Sequence, residues 1–246
     1  MADRFALQDA QYEFPYHYLP HLHQGHARRT RSLRWGREYL CYLLFLAEKI
    51  RALAPRSLLD VGCGDGRLLS LVAGEIADCR GVDLSASAIR FARAFVPGAR
   101  FDELDASALE QRFDVVTAIE VLEHVPDEGV CGFLRTLAER CREDGRVIAS
   151  VPTTNVPLNR KHYRHYDEAL LREQLAASGA RLELIELEYV YRQPTWLRLL
   201  DRAIDNRHFR LEITALDRAL WNHTWQRLRR ATAADGQHLV ATLRRA

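Results

Sequence analysis

Leu58-Leu59-Asp60-Val61-Gly62-Cys63-Gly64-Asp65-Gly66 is the stretch whose reading decides the fold. Ser57–Val61 is short and almost wholly apolar, as a strand is when both faces of a parallel sheet are covered. The alternate glycines after it permit positive φ and let backbone amides approach a ligand closely. Arg67–Ala77 then reads as a helix, so the glycine turn joins the carboxyl end of a strand to a helix. In a doubly wound sheet the ligand crevice lies at that kind of junction. Taken alone, the spacing GxGxG serves equally well as a tight connection without a ligand.

Outward from the turn, two periods alternate. Arg80–Leu84, Ala99–Leu104, Phe113–Ile119 and Arg146–Val151 read as further strands. Ser85–Val96 reads as a helix with Ser85 as its N-cap. Asp127–Cys141 reads as a helix closed by Glu143-Asp144-Gly145, and Asp167–Ser178 as one stopped by Gly179. Arg181–Tyr191 alternates apolar and charged residues, as a strand with one wetter face does. Leu33–Leu53 carries Leu40, Leu43, Leu44, Ala47 and Ile50 at helical spacing. Residues 1–31 read as irregular and Thr195–Arg230 as helical, while Gln237–Leu243 suits a last strand at the sheet edge. Such alternation implies an α/β fold, a doubly wound parallel sheet with right-handed crossovers. The division expected is an N-terminal arm and helix over the site (1–54) and one α/β domain (55–246). Within the latter, 195–230 is a helical insertion, read as a lid or a homodimer contact.

Composition sets bounds on function. The chain has 246 residues, 48% hydrophobic and 28% charged, with a net charge of +2. That is an ordinary globular balance and gives no global argument for nucleic acid or an anionic membrane. No apolar run reaches the roughly 18 residues that cross a bilayer, and the N-terminus lacks a signal-peptide layout. Five cysteines without CxxC spacing read as reduced thiols, and a cytoplasmic location is expected.

Asp83 ends the second strand 23 residues after Asp60, where an acid can accept both hydroxyls of a ribose. A dinucleotide site would use the same acid. Asp60, however, puts a carboxylate before the turn, which repels a pyrophosphate and suits an amino group and a sulfonium. The turn also reads GxGxG rather than GxGxxG, and both features favour S-adenosylmethionine over a nicotinamide cofactor.

With Gly81-Val82-Asp83-Leu84-Ser85, Phe113-Asp114-Val115-Val116 and Gly145-Arg146-Val147-Ile148, the opening stretch resembles the class I S-adenosylmethionine-dependent methyltransferases over approximately residues 55–191. The resemblance implies a seven-stranded Rossmann-like sheet whose last strand is antiparallel. It implies that Asp60 and the turn residues Gly62, Cys63, Gly64 and Gly66 hold the methionine part, and that Asp83 holds the ribose. Leu84 would pack on the adenine, Asp105 and Ala106 would border it, and Glu120 would lie beside the methionine end.

The acceptor side is carried by Ile119-Glu120-Val121-Leu122-Glu123-His124-Val125-Pro126 and the loop Asn155–Tyr166. His124 can act as a general base, because imidazole titrates near neutrality. Glu123 and His162 are further candidate catalytic residues. Alternatively Glu120, Glu123, His124 and His162 hold a divalent metal (Mg, Mn, Fe or Zn) that lowers a hydroxyl's pKa. The ExxEH pattern with a later histidine resembles metal-dependent small-RNA 2′-O-methyltransferases, in which His162 would match the fourth ligand. The same stretch is similar to ubiquinone-type and other small-molecule O-methyltransferases that need no metal. His165 reads as a hydrogen-bonding residue. A loop rich in Tyr, His, Arg and Asn suits a sugar or another small hydroxyl compound. Gln11–Tyr18 looks similar to methyltransferases of surface-polysaccharide or secondary-metabolite pathways, which points to a glycan acceptor. The eight arginines and four acids of 195–230, with Trp196, Trp221 and Trp225, would also fit a membrane-surface helix. A non-catalytic cofactor-binding protein on the same fold is the alternative from outside enzymology.

Overall fold

The computed structural model describes residues 4–9, 21–23, 25–28, 33–206, 211 and 213–245. It begins with a short helix, α1 (Arg4–Asp9), and a two-stranded antiparallel hairpin of β1 (His21–His23) and β2 (His26–Arg28). The stretch expected to be irregular therefore carries two small elements, and Gln11–Tyr18 lies outside the described residues. The long α2 (Leu33–Ala52) follows. Leu40, Tyr42, Leu43, Phe45, Leu46 and Ile50 are all buried on it. That burial exceeds one face because α2 packs between the sheet residues Leu58, Val115, Ile148 and Val240 and the C-terminal Trp221.

Next in the chain come β3 (Ser57–Val61), β4 (Asp78–Asp83), α3 (Ala86–Phe95), β5 (Arg100–Glu103) and β6 (Phe113–Ile119). They lead into α4 (Asp127–Arg140), β7 (Cys141–Pro152), α5 (Glu168–Ser178) and β8 (Leu182–Val190). The C-terminal part is α6 (Thr195–Ile204), α7 (Thr214–His223), β9 (Arg230–Ala231) and β10 (His238–Arg245). The sheet order is β5-β4-β3-β6-β7-β10-β8-β9. Neighbours from β5 to β7 are parallel, and β10 runs antiparallel between β7 and β8.

Alternation along each strand sends neighbours to opposite faces. Leu58, Val115, Ile148 and Val240 join α2 and α3 in one core, whereas Leu59, Val116, Val147 and Leu239 join α4 and α5 in the other. This is the doubly wound Rossmann-like architecture expected, with the last strand antiparallel. It has eight strands instead of seven, because Arg230 and Ala231 pair with Val190 and Tyr189 at the outer edge.

Two expected elements differ in detail. Arg67–Ala77 is a run of turns with a 3₁₀ segment at Leu69–Leu71. Consecutive Leu68 and Leu69 are buried with Val72 and Ile76, and Val72 N bonds Leu69 O at 3.1 Å beside the helical bond from Ala73 N to Leu69 O at 2.8 Å. Tertiary packing of adjacent leucines thus overrides helical periodicity. The turn Glu143-Asp144-Gly145 lies inside β7 as an irregularity, since Phe113 pairs with Cys141 and Val115 already with Arg146. The expected ends hold at Ser85, whose Oγ accepts from Ala88 N at 3.1 Å, and at Gly179, which closes α5 with φ of 61°; Asp167 also caps α5, accepting from Leu170 N at 2.8 Å.

Residues 195–230 form α6, α7 and a π-helical turn at Thr224–Leu228, around a small core of Leu197, Ile204, Leu220 and Leu228. Arg207, Arg210 and Glu212 lie outside the described residues. A buried ion pair between Arg37 of α2 and Asp201 of α6 ties this element to the domain. Among the described residues no helix is long and apolar enough to cross a membrane.

Candidate functional site

The glycine turn starts at the centre of the sheet, where β3 has β4 on one side and β6 on the other. Connections leave in opposite directions there, and the crevice between them holds a cavity of about 600 Å³. Gly62, Gly64 and Gly66 have φ of 72°, 54° and 76°. Gly62 also lacks room for a side chain, since a Cβ there would stand 2.5 Å from a methyl of Val121. The turn and the end of β6 therefore pack directly on each other.

The expected donor residues divide into wall and support. Gly62, Asp83, Leu84, Asp105, Ala106 and Glu120 border the cavity, whereas Asp60, Cys63, Gly64 and Gly66 do not. Asp83 Oδ2 accepts from Gly64 N at 2.9 Å and Oδ1 from Ser85 N at 2.8 Å, which fixes the carboxylate at the mouth of the turn. Burial raises its pKa, against those amide bonds. Asp105 caps a 3₁₀ turn by accepting from Ser107 N at 2.8 Å, and Leu84 presents an exposed side chain to the cavity. Asp60 lies under the turn and accepts from Thr117 Oγ1 at 2.7 Å. Burial pushes it up to about 7, an effect that the Thr117 bond opposes and Asp83 reinforces.

On the acceptor side, Glu123, His124 and His162 converge, with one ligand atom of each lying within 4.8 Å of the others. Glu123 is fully buried, and neither carboxylate oxygen has a hydrogen-bond partner. His124 Nε2 stands 3.8 Å from Glu123 Oε1, too far for a hydrogen bond. Burial, then the nearby Glu120, holds the Glu123 carboxyl well above its ordinary range. His124 Nδ1 donates to the Lys161 carbonyl at 3.2 Å, which leaves Nε2 as the atom with a lone pair. Burial lowers the pKa of His124 and, with help from His124 and His165, takes His162 down to about 3. Both rings are thus neutral near pH 7. His165 is a hydrogen-bonding residue as expected, with Nδ1 donating to Val156 O at 3.0 Å and Nε2 facing His162 Nδ1 at 2.8 Å. Glu120 is apart from the cluster: its Oε1 lies 3.3 Å from His238 Nδ1.

Several wall residues had no motif to reveal them. Arg4, Phe5 and Asp9 of α1 and Lys161 and Tyr163 of the long loop border the cavity. Arg4 donates to the His162 carbonyl at 2.6 Å and lies 4.0 Å from the centre of the Tyr163 ring, while Asp9 bonds Ser85 Oγ. No described residue of 195–230 borders the cavity. His238, on the last strand, was missed because an isolated histidine in an apolar strand carries no spacing signal.

A family model described as a methyltransferase domain matches residues 27–226. Among curated proteins, the ubiquinone biosynthesis O-methyltransferase of Serratia proteamaculans is 34% identical over 121 residues, 46% of this chain and 49% of that protein. Its Pectobacterium atrosepticum counterpart is 38% identical over 119 residues, 45% and 48% of the two chains. The matches thus span about half the length of these curated relatives. Among solved structures, magnesium protoporphyrin IX methyltransferase from Synechocystis with bound S-adenosylhomocysteine superposes with a TM-score of 0.61 at 14% identity, covering 98% of this chain and 100% of that one. A methyltransferase from Archaeoglobus fulgidus gives 0.58 at 17% identity over 84% and 93%. At such identities the likeness concerns the fold. The chain belongs to this methyltransferase-domain family.

Proposed function

We propose that this chain transfers a methyl group from S-adenosylmethionine to a hydroxyl of a small acceptor, with His124 as the base. One observation carries the reading: a single cavity joins Gly62, Asp83, Leu84, Asp105 and Ala106 to His124. The donor's adenine lies against Leu84 and Ala106, its ribose hydroxyls reach Asp83, and its methionine part runs along Gly62 toward Glu120. Asp60, Cys63, Gly64 and Gly66 support that turn from behind. The acceptor enters beside His124, Lys161 and Tyr163, under Arg4 and Phe5. The O-methyltransferase names of the curated relatives support oxygen as the atom methylated.

Because the sulfonium methyl is already activated, the protein's work is mainly alignment and exclusion of water. As the acceptor oxygen attacks the methyl carbon, the carbon–sulfur bond breaks and S-adenosylhomocysteine leaves. The hydroxyl proton passes to His124 Nε2, the ring atom that the Lys161 carbonyl leaves unprotonated. Calorimetry with S-adenosylmethionine, followed by a labelled-methyl assay over catechols, sugars and other hydroxyl compounds, tests the reading. Absence of donor binding would overturn it.

A specific observation favours a second reading of the same cluster. A buried carboxylate with two unpartnered oxygens beside two neutral imidazoles is a donor set suited to a divalent cation. Glu123, His124 and His162 would hold it, and Glu120, turned toward His238, would not. Such an ion would lower the pKa of the acceptor hydroxyl. Turnover that survives chelation supports the base alone, whereas turnover lost and then restored by Mg, Mn, Fe or Zn assigns the ion.

A further inference from the structure

His238 stands on β10, the last strand, and is buried where that strand pairs with Pro152 at the end of β7. Its Nδ1 lies 3.3 Å from Glu120 Oε1 and its Nε2 3.4 Å from Glu38 Oε1 of α2. The Tyr42 ring stacks on the imidazole with centroids 4.2 Å apart, and the Tyr42 hydroxyl meets Ser150 Oγ at 2.5 Å. With its amide nitrogen turned toward Glu38, the adjacent Gln237 donates to Oε1 at 3.0 Å. The imidazole is thus clamped from three sides by elements far apart in sequence.

Glu120, at the other end of this chain of contacts, is one of three non-glycine described residues with positive φ, at 55°. A residue with a Cβ is strained in that conformation, and such strain persists only where the surroundings enforce it. Here the backbone is held by a bond from Glu120 N to Ser150 O at 3.0 Å, and Val121 is wedged against Gly62. The side chain, still 29% exposed, borders the donor cavity. Without His238 nothing in these contacts would hold its carboxylate in one place.

We propose that His238 is a positioning residue for the methyl donor. Held by Glu38 and stacked on Tyr42, it fixes the Glu120 carboxylate at the cavity wall, where that carboxylate receives the ammonium group of the donor's methionine part. The proposal rests on the donor placement given above and extends it to two residues, His238 and Glu38, that do not border the cavity. The alternative is a clamp that merely fastens β10 to α2, which would affect every ligand of the cavity alike.

Calorimetry with two probes separates these roles. S-adenosylhomocysteine carries the ammonium group, whereas adenosine lacks the whole amino-acid part. His238→Gln and Glu120→Gln are each expected to weaken S-adenosylhomocysteine about tenfold and leave adenosine within about twofold of wild type. The double variant is expected to lose no more than Glu120→Gln alone, as residues acting through one contact do. Glu38→Gln should move in the same direction by less. Unchanged S-adenosylhomocysteine affinity in His238→Gln, or equal loss of both probes, would overturn the proposal. Should His238→Gln fail to fold, Glu38→Gln decides it by the same comparison, a loss confined to S-adenosylhomocysteine supporting the proposal and no loss or equal loss of both probes overturning it. If wild-type protein binds neither probe, the donor placement itself is wrong and this proposal falls with it.

Discussion

Asp83 receives a hydrogen bond from Gly64 N at 2.9 Å, so the acid that ends β4 is locked to the glycine turn that follows β3. The same carboxylate bonds Ser85 N, which begins the cap of α3. One side chain therefore joins the two strand ends that form the donor half of the cavity. The cavity's far end, at His124, is organised differently, next to a buried carboxyl group without hydrogen bonds and a second neutral imidazole.

His124→Ala is expected to lower kcat by about a hundredfold or more, the range for loss of a positioned base. Donor affinity should stay near wild type, because His124 stands on the acceptor side of the cavity. Steady-state kinetics with calorimetry on the same preparation checks both parts. Lost donor binding with unaffected turnover of the bound complex would count against the assignment.

Asp60 titrates at about 7 in the folded chain against an ordinary 3.8, with burial as the main cause. Between those values the folded state retains a proton that the unfolded state has released. The contribution to stability is thus complete below the lower value and is lost as pH rises through about 7. Going from pH 5 to pH 8 should cost wild type roughly 2–3 kcal/mol relative to Asp60→Asn, which lacks the titration. Paired urea titrations at the two pH values measure it, and parallel pH dependences would refute the shift.

Gly62→Ala places a Cβ at φ 72° and 2.5 Å from Val121. The strain alone is worth about 1–3 kcal/mol, and the clash pushes the turn from the end of β6. Lower thermal stability together with weaker donor binding is expected. A companion Gly132→Ala, at a position with nothing within 4 Å of the added carbon, should fold normally.

Asp201→Ala removes the carboxylate that faces Arg37 in the interior between α2 and α6. Removing the counter-charge that Asp201 gives this buried guanidinium is expected to cost about 3 kcal/mol. Chemical denaturation reads the loss directly. Because neither residue borders the cavity, KM for the donor should change little in the protein that remains folded.

How much of this was legible from residues alone depends on range. Glycines after an apolar run, an acid at the end of the next strand, the cap at Ser85 and the stop at Gly179 are local signals, each with its cause within a few residues. They determined the doubly wound fold and the place of the crevice. Position in the chain singled out Asp60, but its bond from Thr117 Oγ1 beneath the turn joins residues 57 positions apart and came only with the tertiary structure. Likewise ExxEH placed four candidate ligands together, and in the tertiary structure Glu123, His124 and His162 converge while Glu120 Oε1 faces His238. Whether consecutive leucines at 68 and 69 make a helix, which residues of α1 reach the cavity, and what faces His238 were decided by packing between segments far apart in the chain. Hydrophobic periodicity reports which side of an element is buried, but it does not identify the partner that buries it. The sequence by itself thus determined the sheet and the glycine turn at its centre, and only the tertiary structure decided which acids and histidines lie together.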